Sequence, residues 1–303
     1  MWEAPEYLGA RAPERDYDFD SDGQRLRLHE WGDPSAVPIV LCHGTGDHAR
    51  GFDLLAPLLA DDFRVIAIDS RGHGDSGWVD NYELAHDVSD VSAVLRRIGR
   101  AHLLGHGRGG VLAAATACHV PELTRKVINI EGFGSGTAQD PLPAHVGQPA
   151  SGTTAALALY LDGRRGAHRY VDWPPSASLD DLVASRRRHT PRLSDAWLRY
   201  FCWHGSRRSH EGVRWKVDPL VGFGAQPHRP EWLGRSWSNL HRPMLAIIAE
   251  QPDRWGPLAD AVLDERLSHA PDVRRARVPQ TGHYPHVEEP KATAKLIREF
   301  LGA

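Results

Sequence analysis

Four short segments of this 303-residue chain hold residues whose types and spacing suit chemistry. Gly105-His106-Gly107-Arg108-Gly109-Gly110 sets glycines two positions either side of residue 107. Between a strand and a helix, that spacing permits a very sharp turn, because a Cβ at either flanking glycine would strike the crossing backbone. The turn lifts residue 107 to the top of a sheet in an unfavourable backbone conformation. The amide of Arg108 then lies at a helix N-terminus, a good place to hold a developing oxyanion. Gly282-His283-Tyr284-Pro285, with Glu288 close behind, places an imidazole on a tight turn, and Asp253 offers a carboxylate from another loop. His43-Gly44-Thr45-Gly46 follows an apolar run, and its small residues let a free N–H turn into the crevice at a strand's carboxyl end. The segment from Asp69 to Gly77 (DSRGHGDSG) is a glycine-spaced turn suited to supporting that first loop. An imidazole, a carboxylate and amides aimed at one point suit general-base and acyl chemistry.

The elements that must position these loops follow a β-then-α rhythm. Residues 15–31 read as a hairpin around Ser21-Asp22-Gly23, and short runs at 38–44, 63–70, 102–107, 126–132, 243–250 and 272–279 read as strands. Helix-like stretches lie at 51–60, 82–98, 109–119, 256–268 and 290–301, the last opening on Pro290, which suits a first helical turn. The expected fold class is α/β, with a mostly parallel central sheet flanked by helices. About 110 residues between Ile130 and Met244 break the rhythm, too many for a structureless loop. They carry Trp173, Trp197, Trp203, Trp215, Trp232 and Trp237 and the cluster Arg186-Arg187-Arg188-His189. This interval reads as a mostly helical insert over one edge of the sheet, its tryptophans packing the insert's own core and its arginines on a solvated helix face.

Composition removes several classes. A formal charge of −3, from 36 basic against 39 acidic side chains, gives no overall field for nucleic acid. No apolar run is long enough to cross a membrane, and the first twenty residues have no stretch of signal-peptide type. Cys42, Cys118 and Cys202 fit neither a disulfide framework nor a zinc site, and the 18 histidines show no metal-ligand spacing. The expectation is a cytoplasmic protein without metal or cofactor, taking a small molecule rather than nucleic acid or membrane as its partner.

From about residue 15 onward the chain resembles the α/β-hydrolase superfamily in its capped, esterase-like and epoxide-hydrolase-like branch. The resemblance is carried by HGTG at 43–46, DSRGHGDSG at 69–77, GHGRGG at 105–110, AEQPDRW at 249–255 and TGHYPHVEEP at 281–290, in the family's order. It implies a core domain of residues 1–131 and 242–303 and a helical cap of residues 132–241. It also implies that His283 is the triad histidine, Asp253 its acid, and Thr45 and Arg108 the donors of the oxyanion-hole amides. Glu131, ending the strand before the insert, matches an alternative acid position.

One position departs from the pattern. Where the family carries serine, aspartate or cysteine as nucleophile, this chain has Gly107. Glycine cannot form an acyl- or alkyl-enzyme. No neighbour replaces it: His106 and Arg108 flank the apex and should point elsewhere, Ser70 and Ser76 belong to another loop, and Cys42 lies within a strand. Three readings follow. The chain is an esterase-like hydrolase with its nucleophile replaced, acting on a small, largely apolar ester- or lactone-like substrate. Alternatively, it is a nucleophile-independent enzyme using His283 and Asp253 as a general-base dyad, of water-activating, lyase or cofactor-free oxygenase type. Or it is a non-catalytic receptor that keeps the pocket under the cap. Arg108 is a candidate partner for a substrate carboxylate.

Overall fold

A computed structural model describes residues 4–134, 175–222, 234–251, 253 and 255–303. The hairpin forms as β1 (Arg15–Ser21) and β2 (Gln24–Trp31), closed through Asp22 and Gly23, both at positive φ. Then come β3 (Val37–Cys42), β4 (Phe63–Asp69), β5 (Ala101–His106) and β6 (Thr124–Ile130). A small antiparallel hairpin of β7 (Ser206–Ser209) and β8 (Gly212–Trp215) precedes β9 (Met244–Ala249) and β10 (Val273–Val278). Eight strands make one sheet in the order β1-β2-β4-β3-β5-β6-β9-β10. Pairing is antiparallel from β1 to β4 and parallel beyond, so the loops after β3, β4, β5, β6, β9 and β10 all leave the same edge.

Helices on both faces explain why the central strands are continuous apolar runs. The longer helices are α1 (Leu84–Ile98), α2 (Arg108–His119), α3 (Leu179–Arg187), α4 (Asp195–His204), α5 (Asp260–Ser268) and α6 (Pro290–Leu301). One face buries Val40, Leu103 and Val127 against Val91, Leu95, Leu112 and Leu263 of α1, α2 and α5. The other buries Ile39, Leu41, Leu104 and Ile128 against Leu59 and Ile297. Each such side chain contributes about 1.5–3 kcal/mol relative to exposure.

Two helices are shorter than the sequence pattern implies. The stretch expected over 51–60 divides into a 3-10 turn, Ala49–Phe52, and one α-turn, Ala56–Leu59. Pro57 has no N–H and its ring would clash with the carbonyl four residues back, so no helix continues into it from residue 51, and the α-turn carries it within its first two positions. The helix expected from 256 begins at Asp260, because a residue before proline, here Gly256, is turned away from helical dihedrals. At the sheet edge, β10 is not an apolar run: Arg275 and Arg277 face outward to Asp264 and Asp260 of α5, leaving the edge charged rather than adhesive.

Within the long interval, α3 opens on a capping box between Ser178 and Asp181, and the Ser194 hydroxyl accepts from the Trp197 amide at the start of α4. Leu182, Trp197, Leu198, Phe201, Trp203 and Val213 form a cluster that also takes in Leu54, Tyr284 and Val287 from loops of the sheet. Trp237 and Leu240 instead bury in the layer beneath α2, so the chain has rejoined the core before β9. Trp173 and Trp232 lie outside the described residues. No helix among the described residues is long and apolar enough to cross a membrane.

Candidate active site

The turn between β5 and α2 is as sharp as its glycines imply. Gly107 sits at φ 53 and ψ −122, and its amide donates to the Ile130 carbonyl at 2.8 Å. A Cβ on Gly105 would overlap the Gly109 carbonyl, one on Gly109 the Cys42 carbonyl, and one on Gly110 the Asn129 side chain. Glycine is sterically required at those three positions. At 107 it is not: a Cβ there would find His283 Nε2 at 3.3 Å and Gly44 Cα at 3.8 Å.

His283 rises from the loop after β10 with its ring facing that point. Behind it, Nδ1 lies 3.5 Å from Oε2 of Glu131, which is buried at the end of β6 at φ 53. Glu131 is fixed by its other oxygen, which accepts from the Ala249 amide at 2.6 Å. Asp253 is placed differently: one oxygen accepts from the His283 backbone amide at 2.6 Å, the other from the amides of Trp255 and Gly256 at 2.8 and 3.2 Å. The structure thus sets the Glu131 carboxylate beside the imidazole and the Asp253 carboxylate beneath the loop that carries it. Glu288 accepts from the Gly282 amide at 3.0 Å and from Arg192 Nε at 2.9 Å, pinning the same turn.

Two histidines bind the first two loops together. His43 Nδ1–H donates to the Gly44 carbonyl, and its Nε2 accepts from the Ser70 amide at 3.0 Å. Reciprocally, His73 Nδ1–H donates to the Arg71 carbonyl, and its Nε2 accepts from the Gly46 amide at 3.2 Å. Burial holds His73 in its neutral form, with a pKa lowered to about 3, so Nε2 stays an acceptor. Asp69 completes the brace by accepting from the Ala49 and Asp75 amides. Thr45 lies inside this braced loop and is exposed. Arg108 is the first residue of α2, whose opening amides have no helical acceptor. Its guanidinium pairs with buried Asp87, so this side chain is occupied rather than free for a substrate carboxylate.

Two residues do more than their sequence context suggests. His106 braces the histidine loop: its Nε2–H donates to the His283 carbonyl at 2.8 Å and its ring packs 4.8 Å from the His283 ring, centre to centre. Arg186, read as part of a solvated cluster, is only 14% exposed in its side chain. It reaches from α3 into the core loops, pairing with Asp47 and donating to the Tyr284 hydroxyl at 2.9 Å and the Gly46 carbonyl at 3.4 Å. Burial alone would raise the Asp47 pKa, but the Arg186 charge and His106 hold it far below the usual carboxylate range. The seam between α3, α4 and these loops, lined by His43, Asp47, His48, His106, Arg186 and His286, leaves about 10 Å³, at the lower limit for one water. Burial pushes the Cys42 thiol up to about 12, which leaves it without thiolate character.

A match to the alpha/beta hydrolase family spans residues 39–296, from β3 into α6, and takes in the loops after β3, β4, β5, β6, β9 and β10. The chain belongs to the alpha/beta hydrolase family. Among its relatives, the chain is 26% identical to the 3-hydroxybutyrate-oligomer hydrolase of Cupriavidus necator, over 92% of this chain and 94% of that one. It is also 26% identical to the 2-(acetamidomethylene)succinate hydrolase of Mesorhizobium japonicum, over 92% of each. Among solved structures, the thioesterase domain of the curacin biosynthetic pathway superposes with a TM-score of 0.75 at 20% identity, covering 93% of this chain and 98% of that one. An E-2-(acetamidomethylene)succinate hydrolase superposes with a TM-score of 0.73 at 23% identity, covering 95% and 99%. These last two likenesses establish the fold.

Proposed function

We propose that this alpha/beta hydrolase acts on a small, largely apolar ester- or lactone-like molecule, with acyl-enzyme chemistry silenced at Gly107 and direct attack by water as its remaining route. The carrying observation is the 3.3 Å between His283 Nε2 and the Cβ position of residue 107, at the one elbow glycine that packing does not demand. In this reading Glu131 is the acid. It holds Nδ1–H, a contact that shortens from 3.5 Å to hydrogen-bond length as the ring gains charge. His283 Nε2 takes a proton from water as the oxygen attacks the acyl carbon. The Thr45 and Arg108 amides hold the oxyanion, and Nε2–H returns the proton to the departing alcohol. Asp253, His106 and Glu288 position the histidine loop, and the cap, whose described residues include 175–222, covers the substrate. Both full-length relatives above are named as hydrolases, which supports the reaction class.

Hydrolysis of p-nitrophenyl acetate tests the reading. The protein should show slow turnover that His283→Ala abolishes, and Gly107→Ser should raise kcat by about 10³ or more. Equal rates for the protein and His283→Ala would overturn it in favour of a ligand-binding role.

A further inference from the structure

We infer that Arg186, on helix α3 between β6 and β9, is a positioning residue for the reaction. It fixes the loop of Thr45 and the loop of His283 relative to each other, so that seating of the cap completes the site. This rests on the reading of His283 as base and of the Thr45 amide as oxyanion donor. One guanidinium touches the chain neighbour of each. Its Nη1 donates at 3.4 Å to the carbonyl of Gly46, which follows Thr45. Its Nη2 donates at 2.9 Å to the hydroxyl of Tyr284, which follows His283, and also pairs with Asp47.

Asp47 carries the link further. Its second oxygen, Oδ2, lies 3.5 Å from His106 Nδ1, and His106 Nε2–H donates to the His283 carbonyl at 2.8 Å. The Asp47 amide donates to the Gly44 carbonyl at 3.1 Å, closing the turn that contains Thr45. The Gly46 peptide is held at both ends: its carbonyl by Arg186, its amide by His73 Nε2 at 3.2 Å. The His73 backbone is in turn bridged to Val217, so both restraints lead back to the segment between β6 and β9. Phe201 of α4 packs on the guanidinium, its ring centre 4.8 Å from Cζ, so two helices aim this fork. A planar guanidinium serves a carboxylate, a carbonyl and a hydroxyl in one fixed geometry, which an ammonium on a flexible stem does not reproduce. Misplacing an oxyanion amide by about 1 Å costs on the order of 10²-fold in rate.

The test measures kcat and KM for p-nitrophenyl acetate, and stability by denaturant titration, on the intact protein, Arg186→Lys and the double change Arg186→Met with Asp47→Leu. The double change replaces the buried ion pair with apolar side chains, so most of the folding stability returns, but the ties to Gly46 and Tyr284 do not. Its kcat should stay about 10²-fold below that of the unaltered protein, with KM within about threefold. Arg186→Lys keeps the charge beside Asp47 and should lose about tenfold in kcat; it decides the question if the double variant folds poorly. Exchanging the ester carbonyl oxygen for sulfur, in p-nitrophenyl thionoacetate, reads the oxyanion contacts. The oxygen-to-sulfur rate ratio should fall toward the uncatalysed ratio in both variants, whereas a purely structural role would leave it unchanged. If kcat returns with stability in the double variant, or Arg186→Lys keeps the kcat and the ratio of the unaltered protein, the inference alone is overturned. If turnover of the unaltered protein is unaffected by His283→Ala, the underlying reading fails and the inference falls with it.

Discussion

Glu131 and His283 meet across the top of the sheet, with Oε2 3.5 Å from Nδ1, while Asp253 Oδ2 takes the backbone amide of the same histidine at 2.6 Å. The two carboxylates therefore do separable work. In a Gly107→Ser background, Glu131→Gln should lower kcat by about 10³ with little change in melting temperature, since it removes the charge that stabilises the imidazolium. Asp253→Ala should chiefly destabilise, by about 1.5–3 kcal/mol, because three amides lose a charged acceptor. Steady-state kinetics and thermal melts on both variants separate these outcomes, and a reversed pattern would return the acid's role to Asp253.

Arg186 and Asp47 tie the α3 helix to the loop that holds Thr45. Neither partner is hydrated enough to tolerate loss of the other: their side chains are 14% and 6% exposed. Arg186→Ala should lower stability by about 3–5 kcal/mol, and the double change Arg186→Met with Asp47→Leu should recover most of that loss. Denaturant titration of the single and double variants measures both terms. A loss within about 1 kcal/mol for Arg186→Ala would show that the pair is solvated and not a tether.

Buried neutral histidines set the acid limit of the fold. Burial lowers the pKa of His48 to about 4, of His73 to about 3 and of His102 to about 4. In the unfolded chain each titrates near 6.5. As pH falls below 6.5 the unfolded state takes up protons that the folded state refuses until about pH 4, so stability declines across that window. Each fully buried ring accounts for about 2 kcal/mol by pH 5. Asp53, raised to about 6 mainly by burial, and Asp90, also raised mainly by burial, act with the opposite sign. Melting temperature should be highest above pH 7 and should fall steeply from pH 6.5 to 5; a flat profile would contradict the buried, neutral state of these rings.

The strands, their order along the chain and the loops at their carboxyl ends were legible because each depends on local pattern. An apolar run ends in glycines whose spacing dictates the turn, as at 105–110. What sequence did not disclose depends on partners far along the chain. Arg186 sits in a run of three arginines, and only Asp47, 139 residues away, shows that its side chain turns inward. The relation of Glu131 and Asp253 to the histidine likewise turns on the positive φ at residue 131 and on which amides the Asp253 loop encloses. His106 flanks the apex in sequence, while the direction of its ring is set by the His283 carbonyl, 177 residues away. Pro57, by contrast, is visible in sequence, and its effect on the 51–60 stretch follows from proline's missing N–H.

The central claim is that residue 107 occupies a nucleophile's place in front of a working base. The most direct measurement is fluorophosphonate labelling of Gly107→Ser, read by intact mass and peptide mapping. One adduct should form, on the introduced hydroxyl, and Gly107→Ser with His283→Ala should label about 10³-fold more slowly. The variant should also melt a few degrees lower, since a side chain at φ 53 costs about 1–2 kcal/mol. No adduct on a folded Gly107→Ser protein, or labelling at the same rate without His283, would contradict the account.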